Sequence, residues 1–290
     1  MKGGATLSPS IRRVATQEAM TAIADQKYLL TKQYCNGSKL NARIQLHTRF
    51  SQNKYNFHRW IFDHLKLEPE SAILELGCGT GQLWTNNLDR LNPSWHITLS
   101  DFSVGMLQET QQNLQGKERL FTFRIIDAQS IPFADQSLDV VIANHMLYHV
   151  PNRARALHEI CRVLKPNGTL YAATSGKGYL LEIRQLLQLV GATDTDLFGN
   201  ESGDGFTLES GYKELAHYFH EVTGDGYRDQ LVVTETEPLL NYILSGATGE
   251  TLTPEQKTKL QQIIAKEIAQ KGALRIQKPT GLLIAHSPKR

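Results

Sequence analysis

A short apolar run, "ILEL" at residues 73–76, passes straight into glycine at 77, 79 and 81, just before a helix-compatible stretch that begins near Gln82. Neither helix nor strand propensity favours glycine at that density, because each one costs backbone entropy and adds no side chain to packing. What glycine supplies is positive φ, and room for another molecule to press against backbone N–H groups at the start of a helix. Strand, glycine turn and helix in that order form the first half of a βαβ unit, so the rest of the chain must suit a parallel sheet.

It does. Beyond Pro69, short apolar runs alternate with helix-like stretches: "AILELG", "HITLSD", "LFTFRIID", "LDVVIAN" and, after the turn "KPNG", "TLYAATS". Unbroken apolar runs, rather than alternation, mark strands covered on both faces. Before the fifth strand, Leu157, Ile160, Cys161 and Leu164 form one helical stripe. Upstream, Phe57, Trp60, Ile61, His64 and Leu65 repeat at helical spacing, which requires one buried face.

After Ser175 the rhythm gives way to the amphipathic "YLLEIRQLLQLVG" and the loop "GNESGDGF", and the sixth strand is expected in "DQLVVTE". A long helix follows in which Thr253 caps with Gln256, Pro254 takes the first position and Gly272 is the stop, before a last strand, "GLLIAH". The expected fold is α/β, with a doubly wound, mostly parallel sheet. Residues 1–68 make a helical N-terminal cover, 69–176 the ligand-binding core, 177–228 a helical insertion capping the site, and 229–290 the C-terminal part of the core sheet.

In a sheet of this kind the first glycine loop lies at the carboxyl ends of the strands, beside the point where strand order reverses. Asp101 ends the second strand at an offset from Gly77 close to the roughly 20 residues at which an acidic side chain takes ribose hydroxyls, so the ligand carries a nucleoside. The dinucleotide fingerprint G-x-G-x-x-G needs glycine where this chain has Gln82, which argues against a nicotinamide-dependent oxidoreductase.

The formal net charge is +2 with no long like-charge run, so no electrostatic footprint for nucleic acid or anionic lipid is present. Three scattered cysteines, Cys35, Cys78 and Cys161, suit a reducing compartment rather than a disulfide framework or zinc site, and a cytoplasmic protein is expected. The first residues lack the apolar core of an export signal, and no stretch approaches the roughly 18 apolar residues of a membrane span, so membrane insertion is not expected.

Taken together, "ELGCGTG", "LSDFSVGML", "IIDAQSIPFADQSLDVVIANHMLYHV" and "RVLKPNGTLYAAT" resemble successive motifs of the class I S-adenosylmethionine-dependent methyltransferases, in their type 11 branch, across about residues 70 to 175. The flanks "LNARIQLHTRF" and "HRWIFDHL" also resemble a branch of that family, and "IQKPTGLLIAH" resembles its C-terminal segment with departures that affect packing. The resemblance implies strand order 3-2-1-4-5-7-6 with the seventh strand antiparallel, and S-adenosylmethionine as cofactor. It assigns cofactor binding to Glu75, Gly77, Cys78, Gly79, Gly81, Asp101, Phe102, Met106, Asp127, Ala128, Gln129 and Asn144. Asp101 would hold the ribose, Phe102 and Met106 would flank the adenine, and Asp127 with Ala128 would recognise its amino group.

The implied activity is methyl transfer to a small-molecule acceptor, at oxygen or nitrogen first, with a quinone-type ring carbon as the alternative. A cofactor-binding protein without transferase activity is a further reading. If the acceptor must lose a proton, a histidine near the transferable methyl would serve, and "ANHMLYHV" offers His145, Tyr148 and His149. His145 is the favoured base, whereas His149 and Tyr148 have packing as their commoner fate. Arg43, His47 and Arg49 precede the core and could reach the substrate, Arg49 by pairing with the methionine carboxylate. Cys78 is read as loop backbone, and Trp60, Trp84, Tyr179, Tyr212 and Phe219 as core. Asn144 and Thr174 at the ends of strands four and five have no acid beside them, so no metal is expected.

Overall fold

The computed structural model describes residues 45–192 and 205–290. Residues 45–50 are helical and lead to α1 (Phe57–His64), whose first N–H groups are capped by Asn56. The core then alternates: β1 (Ala72–Leu76), α2 (Gln82–Thr85), β2 (His96–Asp101), α3 (Val104–Asn113), β3 (Phe121–Ile125), β4 (Leu138–Ile142), α4 (Arg153–Val163) and β5 (Leu164–Ser175). The second half contains α5 (Leu181–Leu189), α6 (Leu208–Tyr218), β6 (Phe219–Tyr227), β7 (Gln230–Val233), α7 (Thr236–Leu244), α8 (Ala247–Thr251), α9 (Pro254–Lys271), β8 (Leu274–Gln277) and β9 (Thr280–Pro288).

The main sheet has seven strands in the order β3-β2-β1-β4-β5-β9-β6. β1 pairs in parallel with β2 on one side and β4 on the other, while β9 lies antiparallel between β5 and β6. This is the expected topology, with β9 as the antiparallel seventh strand. Strand order reverses at β1 and β4, so a crevice opens beyond their carboxyl ends.

Successive residues of each buried strand feed opposite faces. Leu74, Leu76, Val141 and Leu170 pack with Leu157 and Ile160 of α4 and Leu215 of α6. Ile73, Ile142 and Tyr171 pack with Ile61 and Phe62 of α1 and with Leu83 and Trp84. The stripe expected on α1 is present, but Phe62 is buried beside Ile61 while Phe57, Trp60 and Leu65 are only partly covered.

The sixth strand is not where the apolar pattern pointed. It is Phe219–Tyr227, "FHEVTGDGY", in which only the two end residues are buried. An edge strand with one neighbour can form from polar, glycine-containing sequence because its pairing comes from the backbone. The alternating Leu231 and Val233 instead face a different core. β7 pairs with β8 as a separate ribbon, joined by an isolated bridge from Ser51 to Leu231.

That other core is the cover. It unites Leu46 and Phe50, Leu180, Ile183 and Leu187 of the α5 segment, Leu239 and Ile243 of α7, Leu260 and Ile264 of α9, and Ile276 of β8. The stretch 177–228 is therefore not one capping insertion: α5 joins the cover, α6 packs on the sheet and β6 extends it. Likewise, most of 229–273 belongs to the cover before β9 returns to the sheet. Helix α9 begins and ends as its sequence requires, with Thr253 and Gln256 capping reciprocally and Gly272 left-handed at φ 76°. Replacing fully buried Leu260 by alanine should remove about 2–5 kcal/mol of unfolding free energy in urea titration; a change below a few tenths would mean that the cover core does not depend on it.

Candidate functional site

All three loop glycines have positive φ: 67° at Gly77, 56° at Gly79 and 75° at Gly81. They serve different ends. A Cβ on Gly77 would lie 2.8 Å from Met146 Cβ, and one on Gly81 would lie 2.7 Å from Thr110 Cγ2, so both are packed tight. A Cβ on Gly79 would meet nothing within 4 Å, and that open side belongs to the cavity.

The loop is fastened from the end of β2. Asp101 Oδ2 accepts from the Gly79 N–H at 3.0 Å and Oδ1 from the Ser103 N–H at 2.8 Å. Burial raises the Asp101 pKa in spite of these amides. Thr110 of α3 donates to the Gly79 carbonyl at 2.6 Å, and the Cys78 N–H donates to the Ser100 carbonyl at 2.8 Å.

Beneath the loop, Glu75 is 2% exposed and accepts from the Trp84 indole N–H at 2.6 Å. Asn144, at the end of β4, sits 3.5 Å from Glu75 through its Nδ2, and its buried Oδ1 has no hydrogen-bond partner among the described residues. Burial is the main reason that the Glu75 pKa is pushed up to about 7, with the Asp101 charge adding to it. After β3, Asp127 accepts from the Gln129 backbone and side chain at 2.9 and 3.1 Å.

These groups line one end of a cavity of about 560 Å³. Its other end is walled by His47, Tyr179 and Tyr242 of the cover, by Phe57 and His58 of α1, and by Ser175, Tyr227, Lys278 and Thr280 at the ends of β5, β6 and β9. Among the described residues, no group of three His, Cys, Asp or Glu side chains is placed to hold a metal ion, and no helix is long and apolar enough to cross a membrane.

Residues 74–172 match a family described as a methyltransferase domain. The malonyl-[acyl-carrier protein] O-methyltransferase of Methylococcus capsulatus is 27% identical over 201 residues, which cover 64% of this chain and 70% of that protein. The demethylmenaquinone methyltransferase of Lactobacillus johnsonii is 32% identical over 142 residues, covering 48% of this chain and 56% of that protein. Residues 74–172 of this chain are thus similar to a methyltransferase domain. A solved structure of Haemonchus contortus phosphoethanolamine N-methyltransferase 2 shares the fold, with a TM-score of 0.56 at 15% identity over 91% of this chain and 60% of that one.

Within this matched segment, Glu75, Gly77, Cys78, Gly79, Asp101, Phe102, Met106, Asp127, Ala128 and Asn144 all line the cavity. Gly81 stands behind it as the left-handed start of α2, and Gln129 bonds to Asp127 without forming part of the wall. Cys78 is inert: burial and then the carboxylates of Glu75 and Asp101 push its thiol well above the ordinary value.

His145, Tyr148 and His149 reach the cavity together, the Tyr148 ring lying 4.4 Å from that of His149 and 6.4 Å from that of His145. His145 sits at φ 52°, a left-handed conformation uncommon for a side-chain-bearing residue, held by its N–H bond to the Ala173 carbonyl at 2.8 Å. Burial, then the charges of His58, Lys278 and His149, lower its pKa to about 3. Hence at neutral pH its imidazole is uncharged and a poor proton acceptor.

Arg43 lies outside the described residues. Arg49 does not reach the cavity; it pairs with Glu235 at 2.6 Å on the surface of the cover. His47, two residues earlier on the same helical segment, does reach it, edge-on to Tyr242 at 5.8 Å. Of the aromatics expected in the core, Trp84 and Phe219 are there, Trp60 packs on Tyr227 at 5.3 Å, Tyr179 is cavity wall, and Tyr212 is 47% exposed. Sequence reading missed Lys278, Tyr227, Ser175 and Thr280, which only the strand pairing of β5, β9 and β6 brings together.

A carboxyl with a native pKa near 7 makes stability pH-dependent. Between its ordinary value of 4.5 and about 7, native Glu75 holds a proton that the unfolded chain has lost, so stability falls as pH rises through that window. The loss should total about 3 kcal/mol in the ligand-free protein. Urea titrations at pH 5 and pH 8 should show it in the wild type and not in Glu75→Gln, and equal slopes for the two proteins would refute the assignment.

Proposed function

We propose that this protein transfers a methyl group from S-adenosylmethionine to a small-molecule acceptor held in the same cavity, at oxygen or nitrogen and without a metal. The observation that carries this reading is the continuity of the cavity, from the glycine loop and Asp101 at one end to His145 and Lys278 under the cover at the other. A volume of about 560 Å³ suits a cofactor with a small acceptor.

The residues present fit the cofactor. Gly79 leaves the place of a side chain open toward the cavity, Asn144 offers an unpartnered oxygen, and Asp101 retains lone pairs beyond the two amides it already accepts. Asp101 would take the ribose hydroxyls, Asp127 and Ala128 the adenine edge, Phe102 and Met106 its faces, and Glu75 with Asn144 and the loop amides the amino-acid end. When bound, S-adenosylmethionine supplies a methyl group already activated by the sulfonium, so alignment is most of the protein's task.

The remaining work falls to the cover and to the histidine segment. His47, Tyr179 and Tyr242 wall the far end of the cavity, and His145 contributes a neutral imidazole, suited to orienting an acceptor N–H or O–H rather than to storing its proton. Between pH 5 and 9, kcat should therefore show no inflection that disappears in His145→Asn, whereas kcat itself drops in that variant; an inflection near pH 6.5 present only in the wild type would restore His145 as a base.

Calorimetric titration with S-adenosylhomocysteine, with NAD as control, tests the cofactor. Binding of the first alone is expected, and Asp101→Asn should weaken it by about 1–3 kcal/mol, since one buried amide and the ribose lose their acceptor. Unchanged affinity would disprove the role of Asp101. Mass spectrometry should then find acceptors that gain a single methyl.

A further inference from the structure

We propose that Lys278 is the recognition group for a carboxylate on the acceptor, which makes small organic acids the substrate class of this protein; the proposal rests on the methyltransferase reading above. Lys278 follows β8, lines the cavity and has a side chain only 12% exposed. Its ammonium makes one ion pair, to Asp229 Oδ2 at 2.9 Å, and stands 6.0 Å from the centre of the Tyr227 ring.

Asp229 balances the charge of that ammonium but not its hydrogen-bonding capacity. Its side chain is fully buried, and Oδ2 also takes the Ser51 hydroxyl at 2.6 Å while Oδ1 takes the N–H groups of Asn53 and Gln230 at 3.0 and 2.8 Å. Those four donors use up the roughly four acceptor positions of a carboxylate. Burial opposes its ionisation, but the Ser51 hydroxyl, the Lys278 ammonium and the Asn53 amide outweigh it and hold the acid below its ordinary range. An ammonium has three N–H donors, and Asp229 is the only hydrogen-bond partner of Lys278 among the described residues. Two donors thus remain for a ligand.

The surroundings select the ligand. That end of the cavity is walled by Phe57, Tyr179, Tyr227 and Tyr242, while the carboxylates of Glu75, Asp101 and Asp127 lie at the glycine-loop end. Burial, and after it the Lys278 charge, lowers His58 to about 4, so this imidazole is neutral as well. Two lysines line the wall, but Lys54 is exposed and donates to the Ser51 carbonyl at 2.9 Å, which leaves Lys278 as the buried cation; with two spare donors and no arginine beside it, it matches a single carboxylate, whereas a phosphate would call for more charge and the bidentate fork of arginine. The aromatic wall suits an acid with an apolar or aromatic body.

The test uses benzoate and phenylacetate against benzamide and phenylacetamide, titrated into the protein with and without S-adenosylhomocysteine. The wild type should bind the carboxylates at least tenfold more tightly than the amides. Lys278→Met should abolish that preference while leaving S-adenosylhomocysteine affinity unchanged. Because Lys278→Met strands a buried carboxylate, the double variant Lys278→Met/Asp229→Asn provides the same readout without the orphaned charge, and Asp229→Asn alone should keep the preference. No carboxylate preference in the wild type, or one that survives in both Lys278→Met variants, overturns the proposal. Failure of S-adenosylhomocysteine to bind the wild type overturns the methyltransferase reading and this one with it, whereas its binding without a carboxylate preference removes the role of Lys278 alone.

Discussion

The two hydrogen bonds from backbone amides to Asp101 tie together three pieces of chain that would otherwise be independent: the glycine loop, the end of β2 and the first turn of α3. A loop with three positive-φ glycines has many alternatives in the unfolded chain, and ordering it costs entropy that packing at Gly77 and Gly81 only partly offsets. The carboxylate supplies the fixed acceptor that selects one arrangement, and Thr110 locks the other side of the same peptide by donating to the Gly79 carbonyl. The acid that the family resemblance assigns to the cofactor's ribose thus also builds the loop against which the cofactor would press. On that assignment, structure and binding would be coupled at one side chain.

The sheet edge explains how a second chamber comes to lie beside that loop. Because β9 inserts antiparallel between β5 and β6, the segment entering β9 is brought next to the carboxyl end of β5, where Ser175 and Thr280 pair. The β7–β8 ribbon lies immediately before that entry, and its apolar side joins the cover rather than the sheet. A cover assembled from segments far apart in sequence, and anchored by β8 to the strand that borders the cavity, closes the site without belonging to the sheet.

The parts readable from sequence are those decided by local chemistry. The β1 glycine loop, the buried parallel strands, the α4 stripe and both ends of α9 follow from spacing, capping and propensity, and each lies where that chemistry puts it. β6 was missed because backbone pairing at a sheet edge makes few demands on side chains, whereas the apolar alternation of β7 is satisfied by a partner core that the pattern does not identify. Arg49 and His47 were equally plausible as site residues, since a helical segment of this length does not say which of its faces meets the cover; Glu235 on the neighbouring segment decides for Arg49. Lys278 and Asp229 form their pair only after β7 and β8 have joined, and nothing local to either residue announces it.

The distribution of charge gives the cavity a direction. Carboxylates stand at the glycine-loop end, where a bound sulfonium and ammonium would be positive, and the ammonium of Lys278 stands at the other. Between them the buried imidazoles of His58 and His145 are neutral, because burial and the nearby lysine both oppose a second positive charge. An acidic acceptor would therefore be drawn toward Lys278 while a cationic cofactor is drawn toward Glu75 and Asp101, so their orientations need not be set by shape alone. Burial is the main reason that His145 is a poor acceptor for a proton, with the charges of His58 and Lys278 adding to it. Occupying Lys278 with an anion would relieve part of that field and raise the His145 pKa, so acceptor binding and proton affinity at the histidine are linked through a single ammonium.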